Sequence, residues 1–336
     1  MIDRGKVQKI ARKFGVNVHQ AKEIKKGFYL IKLRNGKQYA IKPVSNVSHT
    51  KWADRTLIKI RRSGFSRIAW RRPHLKEEKK PYIIYNDTLY VMSPWIHGRH
   101  PNPKSMKEMR ACGIALAKFH QAGLKINVPK AGKENAIGTW GKELAKKHSL
   151  LASRINHPKK HGYNDTIASF LRKHGQEMLQ YAKQAKQWLA KSNYKAACAR
   201  ARKTEPICHG DGGPTNFILN KKGLTLIDFE TLRVDLRSYD LYRIIYNSCK
   251  ANNWKFNTAR AILNGYQTVA KLNRNDFELM KIWLRYPRTT DVMLHNYHYV
   301  SKTKRAQIVR DLPLILAAER KITRFLKKLD QYSRSK

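Results

Sequence analysis

The run ICHGDGGPTNFILNKKGLTLIDFE, residues 207–230, sets Asp211, Asn216, Asp228 and Glu230 close together in a chain otherwise crowded with lysine and arginine. FILN and LTLIDF are β-prone runs joined by Lys221-Lys222-Gly223, so the chain is expected to turn there and return on itself. PIC, just before the loop, reads as a short strand. This pairing brings Asp228, at the end of the second strand, back beside the loop that carries Asp211 and Asn216.

A carboxylate and an amide oxygen beside a second carboxylate make an oxygen-rich corner suited to Mg²⁺, which takes hard ligands together with phosphate oxygens. Asp211, at the loop tip, is placed to accept a proton from an attacking hydroxyl. A base in one loop, an asparagine five residues on and a metal-binding aspartate after the next hairpin is the kinase division of labour. Asp211 is therefore the expected base and Asn216 and Asp228 the expected metal ligands. The cofactors would be ATP, or another nucleoside triphosphate, and Mg²⁺.

Composition sets the surroundings. The chain has 336 residues, room for one large domain or two smaller ones with a substantial core. Seventy Lys and Arg against 23 Asp and Glu give a net charge of +47, a field that favours polyanions without specifying a fold. The basic residues are spread along the whole chain, so a diffusely solvated basic surface stands beside a dedicated polyanion site as a reading. Cys112, Cys198, Cys208 and Cys249 form no C-x-x-C pair, which argues against a zinc ribbon or a disulfide framework and for reduced thiols in the cytosol. The N-terminus has no apolar run of signal-peptide length, and no segment approaches the roughly 18 apolar residues of a membrane span. A soluble protein kept inside the cell is expected.

Residues 1–94 read as a small β-rich lobe and 95–336 as a larger helical one. GFYLIKLRNGKQYAIKPV is a hairpin whose Asn35-Gly36 favours a type I′ turn, and PYIIYNDTLYVM repeats the design with Asn86-Asp87. KWADRTLIKIRRSGF between them reads as a helix ending at Gly64. Ser105 and Glu108 form a capping-box pattern before a helix with Met109, Cys112, Leu116 and Phe119 on its core face. Residues 139–202 read as two or three amphipathic helices, with 194–203 as a last turn, and everything beyond about 237 reads as helical. Lys42, in YAIKPV on the second strand of the first hairpin, is a candidate phosphate contact, because a cation there balances triphosphate charge.

The segment HGDGGPTN…IDFE resembles the aminoglycoside phosphotransferase and choline kinase group within the protein-kinase-like fold. The resemblance implies an α+β, two-lobe, protein-kinase-like structure. His209, Asp211 and Asn216 match the group's His-x-Asp-x-x-x-x-Asn loop, and Asp228 matches its metal-binding aspartate. Glu230 resembles the second carboxylate of choline-kinase-type DFE runs and would add a metal contact. Lys42 sits where the group's phosphate-contacting lysine does. YVMSPW resembles the hinge between lobes: Met92 would line the nucleotide pocket, the Ser93 carbonyl would accept from adenine and the Trp95 N–H would donate to it. Pro94 has no N–H to offer, but it falls between those two positions. Asp240 in RSYDLYRII resembles the aspartate that braces the catalytic loop.

YVMSPWIHGR, ALAKFHQAG, ICHGDGGPTNFIL, IDFETLRVDLRSYDLYRII and WLRYPRTT, in that order, are similar to the signatures of CotS-type spore-coat proteins, a bacterial branch of this group. That likeness spans residues 25–330. It implies a spore-forming bacterium, synthesis in the mother-cell cytoplasm and deposition in the spore coat among acidic coat proteins.

Two departures stand out. Kinases pair the strand lysine with a helix glutamate, yet no glutamate lies between Glu23 and Glu77, and Asp54 is the sole acid of the candidate helix. There is also no G-x-G-x-x-G; only Gly27 sits near the expected turn. These gaps and the charge motivate a rival reading, a kinase-fold scaffold without turnover that docks on an acidic coat layer or another polyanion. A nucleic-acid binder ranks last, since no such motif is visible. His295 and His298, three apart, lack a carboxylate or thiol partner and read as core or surface residues. Trp283, Tyr286, Tyr297 and Tyr299 read as core packing ahead of an acceptor wall, and RRPHLKEEKK as a solvated loop. The acceptor is a hydroxyl compound; the scarcity of acids outside the 207–230 window argues against a cationic one.

Overall fold

The computed structural model describes residues 3–70 and 80–335, so most of RRPHLKEEKK, residues 71–79, lies outside the described residues. The elements run α1 (Arg4–Lys13), β1 (Val18–Lys25), β2 (Phe28–Leu33), β3 (Gln38–Val44), α2 (Val47–Arg62), β4 (Tyr82–Tyr85) and β5 (Thr88–Pro94). They form a five-stranded antiparallel sheet of order β1-β2-β3-β5-β4. Two of its elements were not anticipated. α1 places Val7, Ile10, Ala11 and Phe14 at helical spacing and is capped by the Asp3 side chain, which accepts from the Lys6 N–H. β1, VHQAKEIK, is a largely exposed edge strand whose polar sequence lacks the period-two signal of a half-buried one.

The two hairpin turns divide differently from the expectation. Both Asn86 and Asp87 have positive φ, 44° and 56°, as a type I′ turn requires. At Asn35-Gly36 only Gly36 does, at 77°, and its N–H bonds back to the Leu33 carbonyl. That is a longer loop with a left-handed glycine at its end, not a type I′ turn.

The larger part continues with α3 (Met106–Leu124), α4 (Trp140–Asn156), α5 (Asp165–Lys191), α6 (Tyr194–Thr204), β6 (Ile207–Cys208), β7 (Phe217–Asn220), β8 (Gly223–Leu226) and β9 (Arg233–Val234). It closes with α7 (Arg237–Ala251), α8 (Phe256–Gln267), α9 (Arg274–Arg285), α10 (Arg288–Asn296) and α11 (Lys302–Arg334). The α+β arrangement of a small β-rich lobe and a larger helical one is thus the one the sequence implied. The capping box before α3 is only half made. Ser105 accepts from the Glu108 N–H, but the Glu108 carboxylate turns to the Asn102 N–H and Arg99 instead. Trp283, Tyr286 and Tyr297 are buried in the core as expected, whereas Tyr299 is exposed. His298 stacks on Tyr163, and the His295 Nδ1 accepts from Arg154. Among the described residues no helix is long and apolar enough to cross a membrane.

Two large apolar clusters and a small third one of Tyr82, Leu89 and Val91 divide the described residues. One lies between α1 and the sheet and includes Val7, Ile10, Tyr29, Ile31, Ile41 and Met92. The other runs through the helical part, and α2 contributes Trp52, Ala53, Leu57 and Ile60 to it. Side chains of α2 and of Ser63, which caps it, also bond to backbone carbonyls on the helical side: Trp52 Nε1 to Pro129, Arg55 to Ala131, Lys59 to Asn127 and Ser63 Oγ to Ala122. Its first turn is fixed by Asn46, which caps the His49 N–H, and by the His49 ring, 2.8 Å from the Leu232 carbonyl. α2 is therefore stapled to the large lobe. Trp52 is fully buried and holds one of those bonds. Trp52→Ala is expected to lower stability by about 3–5 kcal/mol through cavity formation, read as a fall in the urea midpoint; a loss below about 1 kcal/mol would contradict this packing.

Candidate active site

The loop between β6 and β7 is held from below by α7. Asp240, wholly buried, accepts from the His209 N–H at 2.6 Å, the Gly210 N–H at 2.8 Å and His120 Nε2 at 3.0 Å. Burial pushes its carboxyl up, but the His120 bond and charge, with the loop N–H groups, outweigh that and hold it below the usual carboxylate range. His120 in turn is hydrogen-bonded through Nδ1 to the Tyr266 hydroxyl, 2.8 Å away. The His209 ring donates from Nε2 to the Ile227 carbonyl, so it ties the loop to the strand that returns from the hairpin. Gly210 is required here. Its φ is +81°, and a Cβ would meet the Thr231 carbonyl oxygen at 2.0 Å. His120, Cys208 and Asp240 gather within 4.8 Å, but each is already bonded within the protein, Cys208 to the Asp235 carbonyl. The cluster is a brace, as expected of Asp240.

Above this brace the hairpin does what its sequence implied. β7 and β8 pair with Phe217 opposite Leu226 and Asn220 opposite Gly223. The Ile227 N–H bonds to the Asn216 carbonyl at 3.0 Å, which sets Asp228 directly beside the loop. Asn216 donates through Nδ2 to the Asp211 carbonyl at 2.6 Å and leaves its Oδ1 as the oxygen available to a cation. Asp228 has φ of +64°, a left-handed conformation that costs a non-glycine residue about 1 kcal/mol or more. Its carboxylate is half exposed and lies 2.7 Å from the Lys42 ammonium; Glu230 lies 2.8 Å from the same nitrogen. The donor set, carboxylates and an amide oxygen without thiol or imidazole, fits Mg²⁺.

Lys42 thus reaches the hairpin from β3. Asp54, the one acid of α2, is buried and accepts from Trp70 Nε1 at 3.2 Å; among the described residues the partners of Lys42 are Asp228 and Glu230. Asp211 receives a charged hydrogen bond from Arg243, a contact the sequence reading missed. The signal was present, since Arg243 lies three residues after Asp240 and hence on the same face of α7. One side chain of that face braces the loop backbone, and the other holds the carboxylate at its tip.

The nucleotide end differs from expectation by one residue. Strand side chains alternate between faces. Met92, opposite Ile41, is buried beneath α1 with Tyr39 and Tyr90, on the face away from Lys42. Val91, opposite Lys42, and Ser93, opposite Ala40, share the Lys42 face. Met92 therefore does not line the pocket side of the sheet. The Trp95 N–H, expected to donate to adenine, is already bonded to the Gln38 carbonyl at 3.0 Å and extends the β3–β5 ladder. The β1–β2 turn is equally tight: the Gly27 N–H bonds to Glu23, and the glycine packs against Pro43, next to Lys42. A cleft of about 590 Å³, lined by Asn46, His49, Trp70, Glu134 and Glu230, opens beside the post-hairpin segment.

Comparison with known proteins gives this geometry a setting. A search of curated proteins finds no match. Among solved structures, an aminoglycoside phosphotransferase from Alicyclobacillus acidocaldarius is similar over 98% of this chain and 96% of its own, with a TM-score of 0.77 at 18% identity. A spectinomycin phosphotransferase, solved with ADP and spectinomycin, is similar over 96% of this chain and 99% of its own, with a TM-score of 0.70 at 15% identity. A choline kinase from Streptococcus pneumoniae covers 96% and 99% in the same sense, with a TM-score of 0.55 at 14% identity. At these identities the likeness is one of fold, the protein-kinase-like one. Residues 68–274, more than half of the chain, match the model of the phosphotransferase enzyme family, and the chain belongs to that family.

Proposed function

We propose that the protein transfers the γ-phosphoryl group of ATP, or of another nucleoside triphosphate, to a hydroxyl acceptor. The observation that supports this best is the hairpin that sets Asp228 beside the Asp211–Asn216 loop while Lys42 reaches the same corner from β3. Asn216 and Asp228 would hold Mg²⁺, which supplies charge neutralisation on the β- and γ-phosphates. Lys42 would contact the phosphate chain. Asp211, held by Arg243, would take the proton of the acceptor hydroxyl as the new O–P bond forms and the bond to the β-phosphate oxygen breaks. Such chemistry asks the protein mainly for positioning and charge, and the brace on Asp240 supports that demand.

The acceptor is best sought among neutral or anionic hydroxyl compounds. A chain with 70 basic and 23 acidic residues is poorly suited to a polycationic one such as an aminoglycoside. The order of the CotS-like runs supports a place in the mother cell and the spore coat, and antibody detection in coat extracts would test it. The same charge supports a second reading, a scaffold without turnover bound to an acidic coat layer; raised salt should then release it steeply.

Wild-type protein should gain thermal stability with a nucleotide only when Mg²⁺ is present, by about 2.7 kcal/mol at a hundredfold excess over the Kd, and Asp228→Ala should lose that gain while remaining folded. No Mg²⁺-dependent shift with any nucleotide would sink the proposal. Asp211→Asn should keep the binding but lower turnover by about 10²–10⁴-fold, the usual worth of a general base; phosphate transfer at the wild-type rate would remove Asp211 from its role.

A further inference from the structure

The absent helix glutamate leaves a question that the geometry answers. In kinases a carboxylate on the helix after the lysine strand holds the ammonium toward the phosphates. Here that helix, α2, carries a single acid, Asp54, which is buried and bonded to the Trp70 indole. α2 is also held in place, by bonds to Pro129, Ala131, Asn127 and Ala122 and by His49 against Leu232. The lysine nonetheless has two carboxylates on it, both from the segment after β8.

Those two carboxylates are not equivalent. They flank Phe229, which is fully buried and packed against Trp70, Phe119 and His209, so the backbone between them is anchored. Asp228 is the residue set beside Asn216 and thus belongs to the oxygen corner. Glu230 lies beyond the anchor, on the wall of the cleft that runs beneath the start of α2. Its longer side chain reaches back to Lys42 at 2.8 Å.

We propose that Glu230 is the positioning residue of Lys42, taking the place of the helix glutamate, and that it is not a metal ligand. This rests on the phosphotransferase reading above. With Glu230 present, Asp228 can be given up to a cation while the ammonium keeps one carboxylate and its aim. Without it, the lysine falls back on Asp228 and competes with the cation for it. The clamp has moved from a helix to the metal hairpin itself. The missing glutamate is then no sign of a dead enzyme.

The test is a double-mutant cycle on nucleotide affinity, measured by ADP and ATP titration in Mg²⁺ with wild type, Glu230→Gln, Lys42→Met and the double variant. Glu230 and Lys42 are on the surface side of the site, with side-chain exposures of 42% and 18%, so these variants should fold. Glu230→Gln alone should weaken binding by about tenfold, and by less than about twofold once Lys42 is methionine, as expected when one residue acts through another. Equal losses in both backgrounds would overturn the proposal. A second measurement, Mn²⁺ titration by electron paramagnetic resonance in the presence of ADP, separates it from a ligand role. Glu230→Gln should bind Mn²⁺ within about threefold of wild type, whereas Asp228→Ala should lose it. Loss of Mn²⁺ in Glu230→Gln would make Glu230 a ligand and refute the inference alone. Failure of the wild type to bind any metal–nucleotide would bring down the phosphotransferase reading and this inference with it.

Discussion

Asp240 carries its negative charge where no water reaches it, and three donated hydrogen bonds make that tolerable. A buried carboxylate without such partners would be protonated or would not be buried at all. Two of the donors are backbone N–H groups of the β6–β7 loop, so satisfying the charge and shaping the loop are the same event. His120 supplies the third and passes the constraint to Tyr266 on α8. From this point the rest of the site follows. The loop fixes His209, His209 fixes the carbonyl of Ile227, and Asp228 comes next in the chain. Gly210 allows the loop to lie flat against Thr231, where any side chain would collide with backbone.

The lobes are joined in an asymmetric way. The sheet and α1 close over their own apolar cluster, while α2, although it follows β3, gives its apolar face to the helical part. The ion pairs of Lys42 with Asp228 and Glu230 then link a sheet residue to the hairpin of the other lobe. Such half-exposed pairs are individually weak. Their value lies in direction, since they aim one ammonium at the place where phosphate charge is expected.

How much of this could be read from the chain depended on how local each signal was. Asp211, Asn216 and Asp228 lie within one strand–turn–strand unit, so their meeting required only the hairpin between them. Asp240 was legible only through the likeness of RSYDLYRII to the bracing segment of the phosphotransferase group. Lys42 was placed by its position on the second strand of the first hairpin and by the family likeness. The hinge failed because YVMSPW is apolar on both faces, and only the pairing of Met92 with Ile41 shows which face meets α1. Arg243 was hidden among the chain's other basic residues, and its worth appears only when the loop is folded against α7. α1 and β1 were missed for opposite reasons: a short helix whose spacing was present but unread, and a polar edge strand with no spacing to read.

The separation of the apolar interior into two main clusters has a thermodynamic consequence. Regions with their own cores open with their own free energies, and the sheet, with the smaller cluster, is the one less costly to open. A nucleotide bridging Lys42 and the hairpin would be bound only while the sheet is closed. Binding energy would therefore be spent first on holding the weaker region closed, narrowing the gap between the two openings.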